Sequence, residues 1–288
     1  MSATLLRGKP IADEMTEELK KEIAALKEKH NIVPSLASVL VGEDPASKSY
    51  AGRQQKSAAN VGIDYQLHEL PGDISQQKLI DFIEELNRDD SVNGIILQMP
   101  LPEGIDGYRA QSTIAMKKDV EGITPANLGM IIYDRPRLCP CTALGAIKMV
   151  EASGVEIYGK DLTVVGRSAI VGRPAALLML QRKYSATTTV CHTGTAKSGN
   201  LPRHVGNADI LIVAAGSPQL VKGEWVKEGS VVVDVGFNWV EGKTVGDVEF
   251  EVAKERAAYI TPVPGGVGPL TVVILLQNTV EATKWQLE

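Results

Sequence analysis

The stretch "TVVGRSAIVGRP", residues 163–174, joins a β-branched run to a predicted helix through a glycine-containing loop. Gly166 directly follows the apolar run, and Gly172 lies near the start of the predicted helix. In parallel α/β sheets, such a loop points backbone N–H groups at a pyrophosphate. The pattern departs from G-x-G-x-x-G, because Ser168 replaces the second glycine and the last glycine comes one residue late. A dinucleotide-binding loop and an ordinary strand–helix turn therefore both remain open.

The following strand-like run bears on which dinucleotide such a loop would hold. This run ends in "VCHTGT", residues 190–195, with no Asp or Glu to bind an adenosine ribose hydroxyl as in an NAD site. Arg167 instead offers a cation for a 2′-phosphate. The residues therefore favour NADP over NAD.

Strand-like and helical patterns alternate along the chain, which predicts an α/β fold with parallel sheets and crossover helices. A proline-rich segment near residues 135–141 separates two such series, and a last helix at about 270–286 is expected to pack on the first. We therefore predict one domain from residues 1–142 plus 272–288 and a second from 143–271. The predicted strands lie at 35–42, 65–70, 94–99, 161–166, 187–192, 208–216 and 229–236.

Bulk composition excludes several classes of protein. The chain has 288 residues, 44% of them hydrophobic, which suits an enzyme or a binding protein with a large core. A net charge of -5 gives no broad attraction to nucleic acid or anionic lipid. No apolar run approaches the ~20 residues of a bilayer span. We expect neither nucleic acid nor membrane as a partner.

The cysteines and histidines indicate a compartment and argue against a metal site. Acidic residues come too early at the start for a secretory signal, and three cysteines make no disulfide framework, so we expect a reducing cytoplasm. Cys139 and Cys141 bracket Pro140, but no second Cys or His pair stands at ligand spacing. The sequence therefore predicts no metal.

One predicted helix, "SKSYAGRQQKSAANVGI" at residues 47–63, resembles an active-site helix but has no amine on the face that carries its tyrosine. Tyr50 and Gln54 are four residues apart and share a helix face. Lys56 is six residues from Tyr50 and points to the opposite side. An amide thus lies beside the tyrosine, while the nearest amine faces away.

Three loops rich in proline and glycine follow predicted strands. "TPVPGGVGPLT", residues 261–271, is stiff and closely approachable, so a flat ligand could lie on its backbone. "LQMPLPEGI" at 97–105 and "DVEGITPANLG" at 119–129 contain Gln98 and Glu121. From the residues alone, these loops either line a common cleft or are tight connections whose polar groups stabilise the turns.

A resemblance to the methylenetetrahydrofolate dehydrogenase/cyclohydrolase family runs from about residue 35 to 279, in the motifs "GEDPASKSY", "LQMPLP", "DVEG", "PCT", "GRSAIVGRP", "ADILIVAAGSP", "VVVDVGFN", "GDVEF" and "TPVPGGVGPLT". The resemblance implies two α/β domains around a cleft, the second of them Rossmann-like, in a homodimer. It implies oxidation of 5,10-methylenetetrahydrofolate to the methenyl form with NADP. Most family members then hydrolyse the methenyl product to 10-formyltetrahydrofolate.

The resemblance also implies roles for individual residues. On the folate side, Tyr50 would orient the substrate and Gln98 would hydrogen-bond it, with Gln54 and Glu121 at the other catalytic positions. The remaining implied contacts are Pro264, Gly265 and Gly266 for the pterin and nicotinamide, Gly166, Arg167 and Ser168 for the NADP phosphates, and Cys191 and Val232 at strand ends near the cofactor.

Departures from the family pattern fall in the folate-side motifs. The family usually has lysine where this chain has Gln54, and it usually reads D-V-D-G-F/L-H-P where this chain reads D-V-E-G-I-T-P. Glu121 therefore replaces an aspartate, and Thr124 replaces a histidine. Ala143 stands where the usual P-C-T-P has its second proline.

These departures predict a division between the two activities. Hydride transfer requires placement of the reacting atoms, whereas attack of water on the methenyl cation requires a group that can take up and release a proton. Glutamine cannot titrate, so we expect dehydrogenase activity to survive and cyclohydrolase activity to be lost or severely reduced. The alternatives are a fully bifunctional enzyme, a dehydrogenase for a modified pterin, and a catalytically silent protein that binds folate and NADP.

Overall fold

A computed structural model describes residues 2–288 and confirms the alternation of helices and strands. The strands are β1 Thr4–Leu5, β2 Ser35–Val41, β3 Asp64–Leu70, β4 Gly94–Leu97, β5 Asp161–Val165, β6 Thr187–Cys191, β7 Ile210–Val213, β8 Val231–Asp234, β9 Asn238–Val240, β10 Lys243–Val245 and β11 Tyr259–Ile260. The α-helices are α1 Gly8–His30, α2 Pro45–Val61, α3 Gln76–Arg88, α4 Gly107–Thr113, α5 Pro125–Ile132, α6 Cys141–Ala152, α7 Gly172–Leu180, α8 Thr193–Lys197, α9 Leu201–Asn207, α10 Phe250–Ala253 and α11 Gly268–Gln286, and Gly223–Trp225 form a 3-10 turn.

The chain divides into two compact units. The first unit comprises Asp13–Cys139 and Val272–Glu288, and the second comprises Pro140–Thr271 with the chain up to Ala12. This division differs from the predicted boundaries in the first twelve residues and in residues 140–142. The N-terminal segment joins the second unit because β1 adds to its sheet edge by pairing with β11, and a two-residue strand leaves no periodic pattern to read.

The first unit contains a three-stranded parallel sheet in the order β3-β2-β4. The central strand β2 is buried along its whole length, which is typical of a parallel strand covered on both faces. On one face, Ala37, Val39 and Val41 pack with apolar residues of α3 and α4. The opposite face of β2 carries a buried polar side chain, Ser38.

The second unit contains a six-stranded parallel sheet in the order β1-β11-β8-β7-β5-β6. Numbered from β5, the strands from β6 to β11 follow the doubly wound order 2-1-3-4-5. In this order the connections leave β5 and β7 in opposite directions, so a crevice opens beyond their carboxyl ends. The predicted Rossmann-like domain is confirmed.

A two-stranded antiparallel hairpin, β9 with β10, follows β8 in the second unit. Glu241 and Gly242 both have positive φ at its tip, as a tight primed turn requires. The aromatic side chains of Phe237 and Trp239 are each 73% exposed. The hairpin and the residue before it therefore present aromatic surface that residues 2–288 leave uncovered.

Two negative findings concern residues 2–288. None of their helices combines the length and apolar character needed to cross a bilayer. No group of three or more His, Cys, Asp or Glu side chains is arranged to hold a metal ion.

Candidate active site

The helix predicted around Tyr50 begins directly after strand β2 in the first unit. The Asp44 carboxylate accepts hydrogen bonds from the Ser47 N–H at 2.8 Å and the Ser47 hydroxyl at 2.7 Å, so it caps α2. Pro45 follows the cap, where its missing N–H costs nothing. Ser47 Oγ is also within 2.9 Å of the Met99 carbonyl, just beyond β4. The start of α2 is therefore anchored at the carboxyl edge of the sheet.

Gln54 lies on the buried face of α2, within a polar cluster. Its Oε1 accepts hydrogen bonds from Gln98 Nε2 at 2.7 Å and from the Tyr65 hydroxyl at 3.0 Å. Gln98 Nε2 also donates to Ser38 Oγ at 2.9 Å. Burial raises the pKa of the Tyr65 phenol, so it stays a protonated donor at neutral pH. Gln54 and Gln98, predicted to be site residues on separate segments, are thus in direct contact.

The amide nitrogen of Gln54 is the unusual atom of this polar cluster. Gln54 is 0% exposed, and its Nε2 has no hydrogen-bond partner among residues 2–288. A buried donor without an acceptor costs about 1–3 kcal/mol. The protein therefore leaves this donor unsatisfied, and within residues 2–288 no lysine is among the hydrogen-bond partners of Ser38, Gln54, Tyr65 or Gln98.

The other polar residues of α2 lie as the helix pattern predicts. Tyr50 is half-buried, and the Arg53 guanidinium lies 5.6 Å from the centre of its ring. Lys56 is exposed on the opposite side of the regular helix from buried Gln54. The prediction that Lys56 faces away is confirmed, so it cannot replace an amine at position 54.

Glu121 is presented by a tight turn built on Asp119. The Gly122 N–H donates to the Asp119 carbonyl at 3.0 Å, and Gly122 adopts φ +67. A Cβ at Gly122 would lie 2.4 Å from the Cys139 carbonyl carbon, so only glycine fits. The wholly buried Asp119 carboxylate accepts the Thr124 N–H at 2.8 Å and thereby closes the segment that carries Glu121.

Thr124, which replaces the family histidine, has a structural role in the first unit. Its hydroxyl accepts the Asn127 N–H at 3.4 Å and caps α5, and the residue is 3% exposed. The histidine-to-threonine change therefore places a helix cap at this position.

Glu121 has an unusual ionisation. The residue is half-buried, and the desolvation of its carboxyl, together with the charge of Asp119, raises the pKa of Glu121 to about 8. The carboxyl is therefore mostly neutral at pH 7. A group that titrates so near neutrality can take part in proton transfer.

The glycine loop of the second unit follows β5. Gly166 has φ +130, and a Cβ there would lie 2.1 Å from the Ala214 carbonyl oxygen beyond β7. A Cβ at Gly172 would lie 2.2 Å from the Gly166 carbonyl oxygen. Ser168 Oγ accepts the N–H groups of Val171 at 3.1 Å and Gly172 at 3.3 Å, which accommodates the extra residue of the loop. This is a close-approach cradle at the β5/β7 crevice, and it fits a dinucleotide.

The residues predicted to bind the cofactor divide into two groups. Arg167 and Ser168 are exposed on the loop, where a phosphate can reach them. Cys191 and Val232 are both 0% exposed in the core of the second unit, so any contact with a cofactor would come from their backbone. The Cys191 carbonyl already accepts the Gly166 N–H at 2.9 Å.

The loop containing Pro264 lies beyond β11 in the second unit. Gly265 has φ +106, and its carbonyl accepts the Gly8 N–H at 2.9 Å. A Cβ at Gly266 would lie 2.7 Å from Thr261 Cβ, so the loop is closely packed. Pro264 is exposed and Gly265 half-exposed, so this surface is open to a flat ligand.

Sequence reasoning missed several residues that shape the two sites. Ser38 and Tyr65 complete the polar cluster around Gln54, yet each lies within an ordinary strand pattern. Asp234 and Asp247 are buried at the carboxyl edge of the second sheet. The motifs "VVVDVGFN" and "GDVEF" contain these two aspartates. For Asp234 the available signal was a charged residue at the end of an apolar strand, and Asp247 had no comparable signal.

Family models match both parts of the chain. Residues 6–121 match the model described as the tetrahydrofolate dehydrogenase/cyclohydrolase catalytic domain. Residues 140–287 match the NAD(P)-binding domain of the same family.

Individual relatives are similar over the whole chain. Bifunctional protein FolD of Geotalea uraniireducens is 47% identical over 283 residues, which are 98% of this chain and 99% of the relative. The crystal structure of the bifunctional methylenetetrahydrofolate dehydrogenase/cyclohydrolase FolD of Campylobacter jejuni aligns with a TM-score of 0.94 and 42% identity, covering 99% of this chain and 100% of its own. The Trypanosoma brucei enzyme complexed with NADP cofactor and inhibitor aligns with a TM-score of 0.92 and 38% identity, covering 100% and 99%.

Proposed function

The chain belongs to the tetrahydrofolate dehydrogenase/cyclohydrolase family, and from this premise we propose that it is a dehydrogenase that hydrolyses its product poorly or not at all. The proposed reaction is oxidation of 5,10-methylenetetrahydrofolate to 5,10-methenyltetrahydrofolate with NADP⁺. The observation that carries the proposal is the wholly buried amide of Gln54, at the position where the family usually has lysine.

Hydride transfer requires little proton chemistry from this protein. NADP⁺, when bound, supplies the hydride acceptor at its nicotinamide ring. The protein must hold the substrate in reacting geometry, and the pterin nitrogens stabilise the cation that remains. Tyr50, Gln98 and the unpaired Gln54 donor are suited to orient the pterin, and none of these tasks requires a change of protonation.

Hydrolysis of the methenyl cation makes a different demand. Water must lose a proton as it attacks, and the adduct must gain one as it opens. Gln54 cannot take up or release a proton. Burial raises the pKa of Tyr65, so its hydroxyl stays protonated at neutral pH and cannot act as a base. General acid–base assistance is worth roughly 10²- to 10⁴-fold in rate, and a deficit of this size is what we propose.

We propose NADP rather than NAD as the cofactor of this chain. Arg167 is exposed on the cradle loop, and β6 is followed by His192 rather than a carboxylate. The related Trypanosoma brucei structure contains NADP. Direct titration of the purified protein with both dinucleotides tests this choice, which equal or tighter binding of NAD would contradict.

One experiment tests the proposed function. On a single purified sample, reduction of NADP⁺ by 5,10-methylenetetrahydrofolate and the loss of added methenyltetrahydrofolate are measured side by side. We expect rapid reduction, with methenyl loss close to its spontaneous rate. Enzymatic hydrolysis as fast as the redox turnover would refute the proposed loss, and stoichiometric NADP⁺ binding without reduction would indicate a silent binding protein.

Glu121 favours a second candidate, a bifunctional enzyme in which this carboxyl replaces the lysine as proton carrier. The Glu121 side chain is one methylene longer than the usual aspartate, which changes the group that faces the substrate. A modified pterin is therefore a further candidate substrate. Turnover of methenyltetrahydrofolate that is lost in Glu121→Gln would support the bifunctional reading. Faster oxidation of another reduced pterin than of methylenetetrahydrofolate would support the modified substrate.

The raised pKa of Glu121 also predicts a pH dependence for the dehydrogenase. The anion, which can accept hydrogen bonds from the N–H groups of a pterin, predominates only above pH 8. The kcat/KM for the folate substrate should therefore rise up to about tenfold per pH unit as pH approaches 8 from below. Glu121→Gln should lower kcat/KM and flatten this rise. An unchanged slope in the variant would assign the ionisation elsewhere.

We further propose a homodimer in a reducing cytoplasm. The exposed aromatic residues of the β9–β10 hairpin support a second copy as the partner that covers them. Three buried thiols, Cys139, Cys141 and Cys191, suit a reducing compartment. Sedimentation at micromolar concentration should give about twice the 30.9 kDa chain mass, and a monomer there would contradict the dimer.

A further inference from the structure

Two buried carboxyl groups at the carboxyl edge of the second sheet have no part in the proposed chemistry. Asp234 ends β8 and is 3% exposed, and Asp247 follows β10 and is 0% exposed. Neither forms an ion pair with a lysine or arginine within residues 2–288. Burial raises the pKa of Asp234 to about 7, so this carboxyl is partly protonated at neutral pH. Backbone N–H groups rather than cations surround both carboxyls, as the cost of a buried charge without compensation requires.

The Asp247 carboxyl accepts hydrogen bonds from the backbone of the turn that follows β7. Its Oδ2 accepts the N–H groups of Ala215 at 2.6 Å and Gly216 at 2.8 Å, and its Oδ1 accepts that of Ser217 at 2.9 Å. Three successive backbone donors that converge in this way form an anion-binding concavity. Because a side chain of the protein fills the concavity, these N–H groups are not available to a ligand phosphate.

Asp247 also ties this turn to two neighbouring segments. Asn238 Nδ2, at the start of the β9–β10 hairpin, donates to Asp247 Oδ1 at 2.8 Å. We call the Asp247 carboxyl, with residues 215–217 and Asn238 bonded to it, the clasp. The Asp247 N–H donates to Asp234 Oδ1 at 3.0 Å, which links the clasp to the end of β8. A Cβ at Gly236 would lie 2.3 Å from Asp247 Cγ, so the surrounding backbone is shaped around this carboxylate.

The clasped turn is one wall of the β5/β7 crevice. Ala214 precedes the three residues bonded to Asp247. Its carbonyl packs against Gly166, which has room for it only because glycine has no Cβ. The Ala214 N–H is bonded to the Val165 carbonyl at 2.8 Å, so the turn begins in register with the end of β5. Displacement of residues 215–217 would therefore shift the surface against which the Gly166 loop packs.

We propose that Asp247 is a positioning residue for the dinucleotide, a role that rests on the proposed NADP-dependent function. By filling the turn after β7, it fixes one wall of the cofactor crevice and leaves the phosphates to the loop from Gly166 to Gly172. It touches neither the substrate nor the reacting atoms.

Asp247→Asn tests the proposal with little change of shape. The new amide group must point N–H donors at Ser217 or at Ala215 and Gly216, which leaves donors facing donors. We expect NADP⁺ to bind roughly 10- to 100-fold more weakly, with the KM for the folate substrate within about twofold of wild type and little change in kcat. In the cofactor-free protein, hydrogen exchange at the amides of residues 215–217 should accelerate at least about tenfold.

Asp209→Asn is the matched control, because Asp209 precedes the amino end of the same strand β7. It accepts Lys227 Nζ at 2.7 Å and the Asp161 N–H at 3.1 Å, and so stabilises the far edge of the sheet. This variant should lose stability without a change in NADP⁺ affinity or in exchange at residues 215–217. A purely structural role for Asp247 would make the two variants alike.

Two further variants keep the proposal testable if Asp247→Asn folds poorly. Asn238→Ala removes one donor from the clasp and should weaken NADP⁺ binding about threefold to tenfold. The double variant Asn238→Asp with Asp247→Asn swaps the two side chains, so that the new carboxylate accepts a hydrogen bond from the new amide. It should recover part of the lost NADP⁺ affinity. NADP⁺ affinity within twofold of wild type in every folded clasp variant would overturn the proposal, whereas a wild-type protein that binds no NADP⁺ would refute the proposed function itself.

Discussion

Gln54→Lys should raise methenyltetrahydrofolate hydrolysis by about 10²- to 10⁴-fold over the wild-type protein. The lysine would enter a wholly buried position whose present neighbours can accept from it, the Tyr65 hydroxyl and, after rotation of its amide, Gln98. Burial lowers a lysine pKa, so part of the amine would be neutral and able to take a proton from water. The rate of methenyl loss above the spontaneous rate measures the gain.

The same substitution one residue further along α2 is the control. Gln55 is exposed, so Gln55→Lys adds the same charge to the same helix away from the buried polar cluster. It should leave both activities unchanged. If Gln54→Lys folds, keeps its dehydrogenase activity and still shows no increase in hydrolysis, then the missing proton carrier does not limit this enzyme, and the role assigned to position 54 is wrong.

Gly166→Ala should abolish useful cofactor binding. The added methyl group would lie 2.1 Å from the Ala214 carbonyl oxygen, and the backbone at φ +130 disfavours any L side chain. Strain and overpacking together should cost about 2–6 kcal/mol. We expect a lower free energy of unfolding, NADP⁺ binding at least about 100-fold weaker, and dehydrogenase activity lost with it. Chemical denaturation and dinucleotide titration measure the two effects separately.

Gly229→Ala is the control that separates the cost of positive φ from the cost of the steric clash. Gly229 also has positive φ, +77, but a Cβ there meets no atom within 4 Å. This variant should lose only about 1 kcal/mol of stability and keep its affinity for NADP⁺. Equal losses in the two variants would mean that φ strain alone explains the effect and that close approach at Gly166 is not required.

The sequence predicted most of the elements that carry the two sites. Strand β2 was readable because a parallel strand buried on both faces is a continuous apolar run. Helix α2 was predicted at residues 47–63 and lies at Pro45–Val61, since the Asp44 cap that starts it was not recognised in the sequence. The β1–β11 pairing was not readable, since two-residue strands have no period. The β9–β10 hairpin was likewise missed, because Glu241 and Gly242 turn a segment whose aromatic residues are exposed rather than buried.

Within the candidate site, local pattern and tertiary contact contributed different facts. Helical spacing placed Tyr50 with Gln54 and placed Lys56 away from them, and the structure confirms this. Spacing could not show that Gln54 meets Gln98, because the two residues come from different elements 44 positions apart. It also gave no role to Asp247, whose partners lie 9 to 32 residues away.

The sequence by itself determined the α/β class, the position of a glycine loop after β5 and the absence of a titratable side chain at position 54, because periodicity, glycine placement and side-chain chemistry are local properties. Only the tertiary structure decided that Gln54 lies buried among amide and hydroxyl groups with an unpaired donor. It also decided that burial raises the pKa of Glu121 and that the Asp247 carboxyl fills the turn after β7. Burial and hydrogen-bond partners depend on which segments meet in space, and chain order alone does not specify that.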